Sequence, residues 1–195
     1  MSEYPEKHYE IIEDKKIPLP NQTFEHNLIK TNLVVDFLNY CRKIHRGKVF
    51  AGLYVYFPDN NLFIPDISIF LDDSLFKPNQ NVHGVPDLVV EILSLSTAKK
   101  DFSVKKDAYE RNGVKEYWIV NHVDKSVQVY HLIESKYELD HIYHVYTPDE
   151  LARLEDAERA EVRYEIKVSI FNDLIVDVGD IFYDLSVCPV PCEKT

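Results

Sequence analysis

Between residues 8 and 19 the chain reads HYEIIEDKKIPL, a weak apolar–polar alternation of β-forming residues around a polar Glu-Asp-Lys-Lys centre. That pattern predicts a β-hairpin. The period then lengthens. Phe24, Leu28, Val35, Leu38 and Cys41 recur at roughly helical spacing and predict a helix over 24–44, capped by Asn21 or Thr23 and ended by His-Arg-Gly-Lys at 45–48. VFAGLYVYF (49–57) and LFIPDISIFL (62–71) are predicted strands, separated by a Pro-Asp-Asn-Asn turn. Pro65 limits the pairing of the second strand or marks its start. Residues 72–85 read as a polar loop, and PDLVVEIL (86–93) as a strand apolar on both sides. A helix follows from about Lys99, capped by Ser96 or Thr97 and stopped by Gly113.

VKEYWIVN (114–121), VQVYHLI and KYELDHIYHVY continue as strands at meander spacing. Residues 148–161 are acidic and helical in character. YEIKVSIFNDLIVDVGDIFYDL mixes a strand with a short terminal helix or turn, and the tail from Ser186 reads as loose. Helices and strands are mixed without regular alternation. The fold class expected is α/β (α+β) with a mixed sheet, in one domain over 1–185 with a loose tail over 186–195.

Composition narrows the class. With 195 residues, 45% hydrophobic and 28% charged, the chain can build one globular core. Cys41, Cys188 and Cys192 make no disulfide framework, and no second Cys/His pair lies near the last two to complete a zinc site. The expectation is a reduced, cytoplasmic protein. Residues 1–16 are charged and aromatic, which predicts no signal peptide, and no apolar run approaches the ~20 residues needed to span a bilayer. The net charge of −11 argues against an open basic face for nucleic acid, although bound divalent cations can offset it locally.

The candidate chemistry starts from a glutamate inside PDLVVEIL. Alternation puts Asp87, Val89, Glu91 and Leu93 on one face, so Glu91 interrupts an apolar surface where an ionised carboxylate is costly to bury. Asp87 lies roughly 13 Å along the strand, too far to share an ion directly. Asp66 is the better partner. If IPDISIF runs antiparallel to PDLVVEIL, its start approaches Glu91 and Asp87 falls at the far end. Two convergent carboxylates with water suit Mg²⁺. On the following helix Asp101, Phe102, Lys105, Ala108 and Tyr109 share a face, which turns Lys105 inward. There it can meet a phosphate or orient a water. The bland readings stand beside these. Glu91 and Lys105 can form a buried structural ion pair, and Pro-Asp at 65–66 and 86–87 is ordinary turn chemistry. His26 has an ordinary core or surface role, Ser94, Ser96 and Thr97 are helix-capping types, and Tyr109, Tyr117 and Trp118 are core or interface aromatics.

PDLVVEILSLSTAKKDFSVKKDAYERNGVKEYWIVN resembles the hallmark block of the Uma-two family, described as restriction endonucleases. The Pro-Asp, Val-Val-Glu, Ser-x-Ser-Thr, Asp-x-x-x-Lys-x-x-x-Tyr and Gly-Val-x-Glu-Tyr-Trp-x-Val elements stand in order. YEIIEDKKIPLPNQTFEH, FIPDISIF and VSIFNDLIVDVGDIF extend the likeness. The resemblance implies the PD-(D/E)XK nuclease superfamily: a restriction-endonuclease-like core, a mixed sheet flanked by helices, and an N-terminal β-hairpin. It implies Asp66 and Glu91 as the metal-binding acids and Lys105 as the catalytic amine, with Glu25, His26, Asp87, Asp101 and Tyr109 as secondary candidates. The pattern's lysine, two residues after the second acid, is Leu93 here; Lys105 would supply the amine from the next helix. The hairpin has Glu-Asp-Lys where Asp-Gly is common, and Asn121-His122 stands where Asp-Pro is usual. The implied activity is Mg²⁺- (or Mn²⁺-) dependent endonucleolytic hydrolysis of DNA. The alternatives are a nuclease-fold binding or assembly module without the chemistry and, less favoured, a metal-dependent phosphatase-like hydrolase. Exposed aromatics expected at Tyr137, Tyr143 and Tyr146 suggest a homodimer.

Overall fold

The hairpin forms where the alternation predicts it, as β1 (Tyr9–Ile12) and β2 (Lys15–Pro18). Pairing of Ile12 with Lys15 leaves a two-residue loop, and Glu13 and Asp14 take φ of 49° and 62°, the left-handed pair that matches strand twist. The computed structural model of the protein describes residues 8–77, 80–93 and 98–185, with the backbone alone at 98–103. The cap positions Ser96 and Thr97, Ser94, Cys188, Cys192 and the tail over 186–195 lie outside the described residues.

Helix α1 (Phe24–Ile44) begins at Thr23, whose hydroxyl accepts the His26 N–H, and ends on His45 in the left-handed region. Its buried stripe is His26, Ile29, Leu33, Phe37 and Cys41. This corrects the expected face: Phe24 and Val35 are exposed, and Leu28 and Leu38 are half-buried. Only the 26–29–33–37–41 series keeps a steady helical step over the whole length.

The predicted strand over 49–57 is two strands, β3 (Lys48–Ala51) and β4 (Val55–Tyr56), divided at Gly52 with φ of +66°. The predicted strand over 62–71 is also two, β5 (Leu62–Phe63) and β6 (Ile67–Phe70), divided at Pro65 and Asp66. The polar loop over 72–85 contains a short 3₁₀ turn and β7 (Val82–His83), which pairs parallel with β4. Then come β8 (Leu88–Ile92), α2 (Ala98–Asn112), β9 (Glu116–Asn121), β10 (Ser126–Ile133) and β11 (Lys136–His144). The acidic segment folds as two short helices, α3 (Pro148–Arg153) and α4 (Asp156–Ala160), each with a capping box. The late segment holds two paired strands, β12 (Glu165–Lys167) and β13 (Ile175–Asp177), before α5 (Val178–Ile181).

The strand divisions matter because each pair of fragments serves two sheets. The larger sheet runs β11-β10-β9-β8-β6-β3, with β8 and β9 parallel and its other pairs antiparallel. The smaller runs β2-β1-β5-β4-β7. One face of the larger sheet packs Ile67, Ile69, Leu88, Val90, Ile92 and Trp118 against α1 and the β12-β13-α5 segment. Phe37 meets the Trp118 ring edge-on at 5.6 Å. The other face packs Phe70, Val89, Tyr117 and Ile119 against α2 and the smaller sheet. The fold is therefore mixed α/β, with a mixed sheet covered on both faces and an N-terminal hairpin. The late aromatics correct another expectation. Tyr143 is buried, and Tyr137 is half-buried, stacked on Tyr117 with its hydroxyl donating to the Val114 carbonyl. Tyr146 is also half-buried.

Candidate active site

Strand β6 runs antiparallel to β8, with Ile67 opposite Val90. Extending that register by one residue sets Asp66 across from Glu91. The chain reaches Asp66 as it leaves the smaller sheet and enters the larger one, after Pro65, which has no N–H for pairing. Asp66 is tied down on both carboxylate oxygens. Oδ1 accepts from Gln22 Nε2 (3.0 Å) and His26 Nε2 (2.8 Å), and Oδ2 accepts from the Ile92 backbone N–H (2.9 Å). A carboxylate only accepts, so His26 carries its proton on Nε2. His26 Nδ1 is buried without a hydrogen-bond partner among the described residues.

Glu91 faces the other way from its neighbours Val90 and Ile92, toward α2. Its Oε1 accepts from Lys105 Nζ at 3.1 Å and from the Tyr109 hydroxyl at 2.6 Å. One helical turn separates those two donors, so α2 presents both to the same oxygen. Tyr109 is fixed by aromatic neighbours, with ring centroids of Phe63 and Tyr117 at 5.0 and 5.3 Å. Lys105 Nζ also contacts Glu10 Oε1 at 2.9 Å, and that oxygen accepts from the Ile64 backbone N–H at 2.9 Å.

The site thus brings Glu10 and Glu91 onto Lys105, with Asp66 close enough to Glu91 to act on its charge. Burial pushes the Glu91 carboxyl up to about 8; Lys105 opposes that rise, while Asp66 and Glu10 add to it. Burial also drives the Tyr109 hydroxyl upward, and the Glu91 charge reinforces it, so Tyr109 acts as a hydrogen-bond donor. Exposure rises from 0% at Tyr109 through 1% at Glu10 and 4% at Lys105 to 7% at Asp66 and 8% at Glu91. All five side chains are buried, Asp66 and Glu91 slightly less completely than the others.

The remaining sequence candidates are elsewhere. Asp87 stands at the other end of β8, accepting from the Leu71 N–H (2.7 Å) and Lys115 Nζ (2.7 Å). Glu25 is exposed in the first turn of α1, its carboxyl held low by a backbone N–H and the Thr23 hydroxyl. Asp101 is in α2, in the stretch described by its backbone alone. Glu10 is the member that sequence reasoning missed. Its signal was present: in β1 it shares a face with buried Ile12, so the alternation puts an acid inward.

Among the described residues, no group of three or more His, Cys, Asp or Glu side chains is arranged to hold a metal ion. Mg²⁺ is ordinarily held by one or two carboxylates and keeps several waters; Asp66 and Glu91, set across from each other by the β6–β8 register, are the two acids that could hold it. An excess of buried carboxylates over cationic groups is the electrostatic setting a divalent ion would relieve.

A family model described as "Uma2: Putative restriction endonuclease" matches residues 1–168. No curated protein matches. Among solved structures, one described as "a putative nuclease belonging to DUF820" from Anabaena variabilis is similar, with a TM-score of 0.65 and 21% sequence identity over 91% of this chain and 90% of that chain.

Proposed function

The chain belongs to the Uma2 family, and from that premise we propose that it is a divalent-metal-dependent endonuclease hydrolysing phosphodiester bonds of DNA, in a single domain over 1–185. The observation that carries this reading is the buried cluster in which the β6–β8 register sets Asp66 across from Glu91 and Lys105 stands against Glu91. Asp66 and Glu91 would hold Mg²⁺ or Mn²⁺. Bound there, the ion supplies Lewis acidity and lowers the pKa of a coordinated water.

The chain's own groups do the rest. His26 Nε2–H and Gln22 Nε2 fix the Asp66 carboxylate, and the Ile92 N–H fixes its second oxygen. The Tyr109 hydroxyl sets the Glu91 carboxylate in place. Lys105 provides a positive donor for a non-bridging phosphate oxygen, where negative charge builds in the transition state. A homodimer forms part of this reading. β11 is an edge strand of the larger sheet and exposes Leu139 and Ile142. Light scattering at tens of micromolar, about the range for a moderate interface, is expected to give twice the chain mass; a monomer removes the dimer from the account. No helix among the described residues is long and apolar enough to cross a membrane, and the proposed setting is the cytoplasm.

The test is a cleavage assay on duplex, single-stranded and branched DNA with Mg²⁺ or Mn²⁺. Cleavage that needs the ion and disappears in Glu91→Ala is expected. A parent chain that cuts none of these substrates, or a Glu91→Ala variant that cuts as well as the parent, would leave a nuclease-fold module in which Glu91 and Lys105 are a structural pair.

A further inference from the structure

We infer that Glu10 is a positioning residue for the reaction, holding the Lys105 ammonium at the site when a divalent cation engages Glu91. This rests on the metal-dependent reading above and extends it to a residue outside the family's acid–acid–lysine pattern.

Its contacts separate Glu10 from Asp66 and Glu91. Its contact with Lys105, 2.9 Å, is as short as a charge-assisted hydrogen bond, and shorter than the 3.1 Å from Lys105 to Glu91. Glu10 is buried, at 1% exposure. Its strand is anchored on both sides, since β1 pairs with β2 and with β5. The Ile64 N–H, just before Pro65 and Asp66, fixes the same Oε1 atom. The N-terminal hairpin thus reaches the centre of the site through one side chain.

Electrostatics then gives Glu10 a purpose. An ionised Glu91 beside Lys105 makes a neutral pair. A divalent cation on Glu91 would oppose the ammonium beside it, and in a buried site that repulsion is weakly screened. Glu10, 2.9 Å from the ammonium, is a second carboxylate that keeps it charged and in place. Satisfying the Ile64 N–H alone would need only a neutral acceptor, so that contact does not account for a buried carboxylate.

The experiment is a double-mutant cycle on the full chain, using Glu10→Gln, Lys105→Met and the double variant. Single-turnover DNA cleavage with Mn²⁺ is measured alongside Mn²⁺ binding by calorimetry. Glu10→Gln is expected to slow cleavage by about 10- to 100-fold, the usual loss for a residue acting through another, while Mn²⁺ affinity and KM for DNA stay unchanged. The double variant should be no slower than Lys105→Met alone, because Glu10 acts through that lysine. Rate losses that multiply, cleavage at the parent rate, or loss of Mn²⁺ binding in Glu10→Gln would overturn the inference. If Glu10→Gln fails to give a melting transition, Glu10→Asp keeps the charge but withdraws it by one methylene, and the same cycle applies. Amine labelling of Lys105 followed by mass spectrometry gives a readout without catalysis: protection in the Mn²⁺-loaded parent and labelling in the Glu10 variant are expected. A parent chain that binds Mn²⁺ and protects Lys105 but cuts nothing defeats the nuclease reading alone. Equal labelling of parent and variant defeats this one.

Discussion

Glu91 is buried among more negative than positive charge, and this sets how the metal-free chain responds to pH. Its carboxyl is raised from the ordinary 4.5 to about 8. Between those values the folded chain holds a proton that the unfolded chain releases. The stabilisation is therefore complete below 4.5 and is lost as pH rises through 8. In metal-free buffer, the urea midpoint is expected to fall between about pH 5 and about pH 8.5, and Glu91→Gln should flatten that slope. An unchanged slope in the variant would remove Glu91 as its source. Glu91 and Lys105 were legible because each is a charged group on an otherwise apolar face, and Asp66 because an antiparallel pairing of its strand with β8 brings it beside Glu91. Glu10 carries the same signal within four residues of strand, too short a run to be separated from a surface hairpin. The contact of His26 with Asp66 was not legible, because it joins positions 40 apart in sequence that only packing brings together.

At the scale of elements, the site depends on two interruptions. The break at Pro65 and Asp66 moves the chain from the smaller sheet to the larger and leaves Asp66 at the mouth of β6, beside β8. The break at Gly52 does the same for β3 and β4, and the Gly52 N–H bonds to the Pro65 and Asp66 carbonyls, both at 3.2 Å. Gly52 has φ of +66°, and a Cβ added there would meet nothing within 4 Å. Gly52→Ala is therefore a test of backbone conformation without a packing clash. It should destabilise the chain by about 1–2 kcal/mol, the usual penalty for a left-handed alanine, as measured by chemical denaturation. A neutral substitution would mean that the turn relaxes freely. The sequence carried the long elements well, since α1 and β8 to β11 are long runs bounded by capping and turn residues. It hid the strand divisions because both halves of each are apolar, and apolar runs have no period from which to read a change of sheet.

For the whole molecule, patterning gave a mixed sheet and the β1–β2 hairpin, but neither the order of the larger sheet nor the rest of the smaller one. β4, β5 and β7 have two residues each, and the pairings that join them to the rest of the sheet, β5 with β1 and β4 with β7, link positions distant in sequence. The assembled molecule brings together groups from β1, α1, β6, β8 and α2 in a chain of net charge −11. An ion that binds this folded arrangement and not the unfolded chain must raise its stability. The most direct measurement of the central claim is thermal unfolding of the parent and of Glu91→Ala, with and without Mg²⁺. At about a hundred times Kd, Mg²⁺ should raise the parent Tm by roughly 5–10 °C and leave Glu91→Ala where it was. A parent that melts at the same temperature with and without Mg²⁺ or Mn²⁺, while Glu91→Ala and Lys105→Ala both melt far lower, would contradict the metal site and leave a structural ion pair in its place.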